Sequence, residues 1–343
     1  MASPEPANGA STSTLDPLAG KIGHLSPEQE SRFVEFKAAC EKDGVYHRGR
    51  GDPVSAMLCY CDICEPVWRE ANKLDELYDT FDVDTFEEAR KVVLSPVDGK
   101  TRPLRPPVYV YEISHIKNHI ASFEKSSTIL KTASTPSASD PIPGKLRMLC
   151  ALYENMSELV LPLCNAIPNR PNPETPVSTT SHIVDISNVG LMQFWNLKGH
   201  MQAASTLATA HYPETLDRLF ILGAPSFFPT VWGWIKRWFD PVTTSKIFIL
   251  SAAEVQPTLT RFMRPADLPK KYGGELEWEY GMPPSVDGDI VRAVQGLAAD
   301  KWVRGPLRWV QEPGGSGKVV ARGTMQGKER NEVVGVLDGS GSV

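Results

Sequence analysis

Two periods of apolar residues alternate along the middle of the chain, and they predict strands separated by helices. β-Branched and aromatic runs predict four strands, at Val108–Ile113, His182–Ile186, Leu219–Leu222 and Ile247–Leu250. Helical spacing between these runs predicts crossover helices, including one from about Leu191 to Ala210. Strands joined by crossover helices lie parallel in a sheet. The predicted fold class is therefore α/β, with a mostly parallel sheet.

Helical signals dominate the region before the first strand. Ser26 and Pro27 are typical of the first turn of a helix, and Asp84 is a suitable N-cap for another. Residues 26–95 are therefore expected to form a helical N-terminal lobe. Residues 1–25 are rich in Ser, Thr, Pro and Gly, so we expect a disordered tail there.

Two later regions are less regular. The helix before Pro162 is expected to stop there, because proline cannot donate a backbone hydrogen bond. After Gly274 the periodicity weakens. Residues 281–343 are therefore expected to form an irregular C-terminal extension, with two candidate strands at Leu307–Val310 and Lys318–Ala321.

Residues 227–239 form a strongly apolar helical segment that holds three of the eight Trp of the chain. Such a helix either stays buried in a core or meets an apolar partner that is present only part of the time. The segment is too short to cross a hydrocarbon layer of about 30 Å. The second alternative therefore points to reversible contact with lipid.

Composition narrows the function. A net charge of −5 and a pI near 5.9 argue against a nucleic-acid-binding protein, which needs a basic face. Six Cys without regular spacing favour reduced thiols in the cytoplasm, and the first residues lack the basic and apolar segments of a secretory signal. The Cys61-x-x-Cys64 pair has no second pair at the spacing of a zinc site, so no metal is expected.

Enzyme motifs are incomplete. The Gly314–Lys318 run is not a phosphate-binding loop, since Glu312 stands where a Gly is needed and Val319 follows the Lys. Ser226 follows a Pro and does not stand in a nucleophile elbow. We therefore expect no enzyme and no catalytic residue.

Four motifs carry a family resemblance: His211–Glu214, Leu222–Pro225, Phe239–Phe248 and Leu268–Gly274. In this order and spacing they resemble the CRAL-TRIO lipid-binding domain, and above all the fungal phosphatidylinositol/phosphatidylcholine transfer proteins. The resemblance implies a domain at about residues 105–280, in which the sheet and a gating helix enclose one lipid in an apolar cavity. It also implies a cytoplasmic monomer that binds a phospholipid and touches membranes reversibly.

The resemblance further implies roles for individual residues. Three positions resemble those that serve an inositol phosphate: Glu214, Thr243 and Lys246. Four others match positions at the phosphocholine end: Tyr109, Tyr153, Thr180 and His182. The gating helix contributes apolar residues that face the cavity or the membrane: Phe227, Phe228, Val231, Trp232, Trp234, Ile235, Trp238 and Phe239. Without a family role, Lys246 would be a solvated or salt-bridged surface lysine. The tyrosines would be core residues, which are equally common.

Departures from the family pattern leave alternatives open. His182 replaces a smaller hydroxyl residue, so phosphatidylinositol is favoured over phosphatidylcholine, with no cofactor. The same imidazole fits a haem-binding member of the family, with His182 on the iron. A third alternative is a scaffold that recruits partners to membranes without transferring lipid. Residues 50–68, where a basic leucine-rich helix is missing, and residues 93–106 also depart from the pattern.

Overall fold

The computed structural model describes residues 18–42, 66–90, 106–114, 144–166, 170, 172–297, 302–312 and 316–337. Its helices are α1 (Pro27–Lys42), α2 (Pro66–Ala71), α3 (Leu74–Thr80), α4 (Val83–Arg90), α5 (Gly144–Asn155), α6 (Leu161–Asn165), α7 (Leu191–His211), α8 (Phe228–Ile235), α9 (Pro241–Ser245), α10 (Ala252–Leu259) and α11 (Gly288–Ala293). Its strands are β1 (Val108–Glu112), β2 (Thr180–Asp185), β3 (Leu216–Leu222), β4 (Ile247–Leu250), β5 (Val294–Gln295), β6 (Leu307–Gln311), β7 (Gly317–Ala321), β8 (Thr324–Met325), β9 (Lys328–Glu329) and β10 (Glu332–Leu337).

The first four strands form one parallel sheet in the order β1-β2-β3-β4. α7 connects β2 to β3, and α8 with α9 connects β3 to β4, so each connection returns the chain to the starting end of the next strand. All four predicted strands are present, and β4 has the predicted bounds. The α/β prediction is confirmed.

One face of this sheet is a solid core. Val110, Ile183 and Phe220 are fully buried on it. Leu259 of α10 and Leu268 of the following segment belong to the same buried cluster. The residues after β4 therefore seal this face, and among the described elements α7 and α8 pack on the opposite face.

A π-turn carries the helix through Pro162, so the prediction that it stops there is wrong. After α5 ends at Asn155, residues 156–160 widen, and the N–H of Leu161 donates to the carbonyl of Met156, five residues back. Pro162 is the second residue of α6 and directly follows this wider turn. The helix therefore continues past a residue that cannot donate a hydrogen bond, with a π-turn in front of it.

The described residues before the sheet are mostly helical, since α1 to α4 all lie within residues 26–95. Residues 18–24 belong to the segment expected to be disordered, yet they form turns. Leu18 is buried, and the carbonyl of Ile22 accepts a hydrogen bond from the Thr175 hydroxyl at 2.8 Å. This part of the tail is therefore packed against the main domain.

Some predictions concern residues that the structure does not describe. These are residues 1–17 of the expected tail and residues 51–65 and 91–105, which carry most of both departures from the family pattern. Within the described ranges, no helix has both the length and the apolar character that a membrane span requires.

The C-terminal region is more regular than expected, because it holds a second, antiparallel sheet in the order β5-β10-β7-β6. β6 and β7 are the two strands that the sequence predicts. An ion-pair cluster fixes this sheet to the rest of the molecule. Arg308 of β6 contacts Asp79 at 2.5 Å (Nε to Oδ1) and Glu158 at 2.6 Å (Nη1 to Oε2). Both carboxylates lie far away in sequence, so no local pattern announces this contact.

Candidate functional site

The second face of the parallel sheet is apolar but only partly covered. Val184, Leu219, Ile247 and Ile249 are half-buried there, whereas most of their neighbours on the sealed face are fully buried. α7 and α8 pack on this side, yet most of the described α7 side chains keep accessible surface. Parallel sheets normally have both faces covered. Together with Ile221, these residues form an apolar surface that the described elements do not fill, which we call the inner face.

The aromatic segment covers part of the inner face. Phe228, Val231 and Ile235 are buried against it, at the three- and four-residue spacing of one helix side. Trp234 lies on another side, with 45% of its surface exposed. Three further residues are half-buried at the same cluster: Phe227, Trp232 and Phe239. The segment is therefore not a fully buried core helix; Trp238 belongs to it, but its side chain lies outside the described residues.

The four residues predicted at the phosphocholine end lie together at the amino ends of β1 and β2: Tyr109, Tyr153, Thr180 and His182. Tyr109 and His182 are direct register partners, and their rings stack with centroids 5.5 Å apart. Tyr111 also stacks on His182, at 5.7 Å. Tyr111 was not predicted as a site residue, although the alternation of Val108–Tyr111 places it on the same sheet face as Tyr109.

The polar atoms of this aromatic group are unequally satisfied. His182 Nε2 and Thr180 Oγ1 share a hydrogen bond of 2.8 Å, and burial lowers the pKa of His182 to about 4, so the ring is neutral at pH 7. The Tyr109 hydroxyl is buried and has no hydrogen-bond partner among the described residues. Burial raises the pKa of Tyr109 well above its ordinary value, so this hydroxyl keeps its proton. Because an unpaired buried polar group costs about 1–3 kcal/mol, Tyr109 offers a hydrogen bond to a ligand.

Tyr153 is fixed in place by a buried polar network. Its ring stacks on Tyr212, with centroids 4.2 Å apart and planes at 9°. The Tyr212 hydroxyl donates to Glu154 Oε1 at 3.0 Å, and Arg69 donates to both oxygens of Glu154, at 3.0 and 2.9 Å. This network was not predicted, because its one signal in the sequence is the position of Tyr212 in a family motif.

The three residues predicted to serve an inositol phosphate lie near the amino ends of β3 and β4. Lys246 Nζ lies 3.7 Å from Glu214 Oε2, and these side chains are 26% and 77% exposed. Thr243 Oγ1 instead donates to Asp240 Oδ2 at 2.5 Å, within the N-cap of α9. That hydrogen bond holds the pKa of Asp240 below its ordinary value. Lys246 is thus accessible to a phosphate, whereas the Thr243 hydroxyl is engaged.

Both groups share one edge of the parallel sheet. The backbone N–H of Thr180 donates to the carbonyl of Thr215 at 2.8 Å, and Thr215 directly follows Glu214. The aromatic group lies on the inner face, and the Glu214–Lys246 pair lies at the same amino ends of the strands. An amphiphile would find an apolar surface, a buried hydroxyl donor and an accessible ammonium group along this edge.

The opposite edge of the sheet holds a buried ion cluster that the sequence analysis also missed. Lys271 Nζ lies 2.7 Å from Glu112 Oε1 and 3.0 Å from Asp185 Oδ2. Burial opposes ionisation of Asp185, but hydrogen bonds from Ser187 and Lys271 outweigh it and hold the pKa of Asp185 below its ordinary value. The cluster ties the Leu268–Gly274 motif to the carboxyl ends of β1 and β2, so this motif serves the fold.

Comparison with known proteins agrees with this architecture. The family model described as CRAL/TRIO domain matches residues 104–274. A SEC14 cytosolic factor of Kluyveromyces lactis is 26% identical over 273 residues, which cover 76% of this chain and 82% of the relative. A SEC14 cytosolic factor of Yarrowia lipolytica is 32% identical over 281 residues, or 78% and 52% of the two chains. The phosphatidylinositol/phosphatidylcholine transfer protein SFH9 of Arabidopsis thaliana is 25% identical over 250 residues, or 68% and 38%. Through residues 104–274, this chain belongs to the CRAL/TRIO family.

Proposed function

We propose that this protein binds one phospholipid on its inner face and transfers it between membranes, without covalent chemistry. The observation that carries the proposal is the half-buried apolar face of the parallel sheet, opposite a face that is sealed. Acyl chains are the natural occupant of such a surface, because each Å² of apolar area removed from water contributes about 25 cal/mol. Transfer also requires release, so affinity for the protein must be balanced against affinity for the bilayer.

The names of the relatives support this class of ligand. One relative is named a phosphatidylinositol/phosphatidylcholine transfer protein, and two are named cytosolic factors. We therefore propose a cytoplasmic protein that associates reversibly with membrane surfaces and acts as a monomer.

Phosphatidylinositol is the lipid that we propose. Among the described residues, Lys246 has one ion-pair partner, Glu214, which is so exposed that their contact at 3.7 Å is weak. A lipid phosphate would therefore compete well for this ammonium group, because hydrogen bonds between charged groups are the stronger kind. Thr243 is a weaker candidate, since its hydroxyl would first have to leave Asp240.

The aromatic group favours a hydrogen-bonding ligand over a quaternary ammonium. The ring of Tyr109 already stacks on His182, and the ring of Tyr153 stacks on Tyr212. Cation–π contacts need an accessible ring face, so fewer faces remain for choline. The unpartnered Tyr109 hydroxyl, by contrast, suits an ester or phosphate oxygen.

A transfer assay with two neighbouring substitutions on β4 tests the proposal. Ile249→Trp adds bulk on the inner face, and Phe248→Trp is the matched control on the sealed face. Labelled phosphatidylinositol should move from donor to acceptor vesicles with the wild-type protein and the control, and at a strongly reduced rate with Ile249→Trp. Wild-type transfer by Ile249→Trp would contradict a lipid site on the inner face.

Haem binding is a second candidate, favoured by one observation. Iron requires a neutral imidazole, and the pKa of His182, lowered by burial to about 4, keeps it neutral. The orientation of the His182 ring fits haem less well, because its Nε2 already shares a hydrogen bond with Thr180 Oγ1 and the ring stacks on two tyrosines. A Soret band in the purified protein would favour haem. Protein that carries neither porphyrin nor lipid would favour the third alternative, a recruitment scaffold.

A further inference from the structure

Four exposed apolar side chains converge beside the aromatic helix. Leu191, Met192 and Trp195, in the first turns of α7, are 54%, 73% and 53% exposed, and Trp234 of α8 is 45% exposed. The rings of Trp195 and Trp234 meet edge to face, with centroids 6.2 Å apart. The two helices therefore present one continuous apolar surface, which we call the tryptophan patch.

The contacts that hold α7 to the rest of the protein do not involve these exposed side chains. The same turns of α7 are anchored by two other residues: Phe194 is buried in the cluster beneath the aromatic helix, and Gln193 donates to the carbonyl of Ile113 at 3.3 Å. The patch residues lie on the remaining side of α7 and face solvent. A contiguous exposed apolar patch of this kind marks a surface that meets a partner.

The charges around the tryptophan patch identify the partner. α7 contains no Asp or Glu, and neither does the segment 223–239, although the chain as a whole has a net charge of −5. Three cations lie in the same two segments: Lys198, whose Nζ lies 4.9 Å from the Trp195 ring centroid, and the exposed pair Lys236 and Arg237. Indole rings flanked by Lys and Arg, on two segments that contain no carboxylate, fit the headgroup region of an anionic bilayer.

We propose that the tryptophan patch docks this protein on anionic phospholipid membranes, with α7 as the anchor. The proposal rests on the function proposed above and adds the surface and the charge of the membrane to it. Buried Phe194 fixes the start of α7 to the cluster on the inner face, and Gln193 fixes it to the carbonyl of Ile113, so α7 presents the patch from a fixed position.

Vesicle sedimentation of the full-length chain tests the proposal. The vesicles are phosphatidylcholine with or without phosphatidylserine, and the test variant is Met192→Ala/Trp195→Ala. Met325→Ala/Val333→Ala is the matched control, because these side chains are 45% and 56% exposed on the C-terminal sheets. We expect the test variant to lose at least about tenfold in partitioning to anionic vesicles. The control should bind like the wild type, and Lys198→Glu should weaken binding only to vesicles that contain phosphatidylserine.

The possible outcomes separate the docking surface from the lipid site. Wild-type partitioning by the test variant, or no vesicle binding by the wild-type protein, overturns the proposal. Thermal melting and the bound lipid measured by native mass spectrometry should be unchanged in the test variant, because both altered side chains are exposed. A wild-type protein without lipid that still needs Met192 and Trp195 for vesicle binding would refute the transfer function and leave the docking surface standing.

Discussion

Replacing Lys246 with Ala should reduce the affinity for phosphatidylinositol while leaving the fold intact. Two unit charges about 4 Å apart attract by about 1 kcal/mol in water and about 4 kcal/mol in the environment near a protein surface. The side chain of Lys246 is 26% exposed, so its contact with a lipid phosphate lies between these limits, at about 2 kcal/mol. That loss corresponds to roughly a 30-fold weaker complex.

The cost to folding should be much smaller. The pair of Lys246 with Glu214 spans 3.7 Å, and the glutamate is 77% exposed, so the pair contributes at most about 1 kcal/mol. Lys270→Ala is a suitable control, because it removes another ion pair with an exposed glutamate, Glu277, outside the candidate site. Both variants should unfold at nearly the same denaturant concentration as the wild type.

The assay follows labelled phosphatidylinositol and labelled phosphatidylcholine from donor to acceptor vesicles in parallel. Lys246→Ala should slow phosphatidylinositol transfer well below that of the Lys270→Ala control. Transfer of phosphatidylinositol at the wild-type rate by Lys246→Ala would refute the headgroup role of this lysine and leave it as an ordinary surface ion pair.

Three further predictions concern buried polar groups. Tyr109→Phe removes an unpartnered hydroxyl, so it should raise the stability of the lipid-free protein by about 1 kcal/mol and weaken lipid binding. In the same urea titration, the control Tyr78→Phe should destabilise the protein, because it loses hydrogen bonds to the Leu307 backbone. Equal effects of the two substitutions would contradict an unpartnered Tyr109 hydroxyl. Burial lowers the pKa of His182 from 6.5 to about 4. The contribution of the neutral ring to the free energy of unfolding is therefore fully present above pH 6.5. It falls by about 3 kcal/mol between pH 6.5 and 4, as the unfolded chain takes up a proton. His182→Thr should flatten this pH dependence in urea titrations, and an unchanged slope would show that another group causes it. Arg308→Met should cost about 3 kcal/mol in guanidinium unfolding, because it removes the shared partner of three carboxylates, Asp75, Asp79 and Glu158. A neutral result would mean that water solvates these carboxylates adequately.

The parallel sheet could be predicted because its strands carry local signals. Ile247–Leu250 is a run of β-branched, aromatic and leucine residues between polar neighbours, and its bounds were predicted correctly. β10 contains three Val but was not predicted, because Gly335 interrupts the run. A Cβ on Gly335 would lie 2.9 Å from the side chain of Val294, so close approach of β5 requires a glycine here. Contacts of this kind depend on the tertiary structure and leave no pattern in the local sequence.

The candidate site also has a part that could be predicted and a part that could not. The family resemblance identified residues that the fold brings to one edge of the sheet, such as His182 and Lys246. They could not show which polar atoms are already engaged. Thr243 is committed to an N-cap, and the Tyr109 hydroxyl is left without a partner, because these outcomes depend on the distances between elements.

Native mass spectrometry with organic extraction, on protein purified from its own cells, shows whether the inner face holds a lipid. We expect one phospholipid per chain, identified in the extract as phosphatidylinositol, and its loss from the Ile249→Trp variant but not from Phe248→Trp. A chain that carries no lipid, or that carries a porphyrin in place of a lipid, would rule out phospholipid binding.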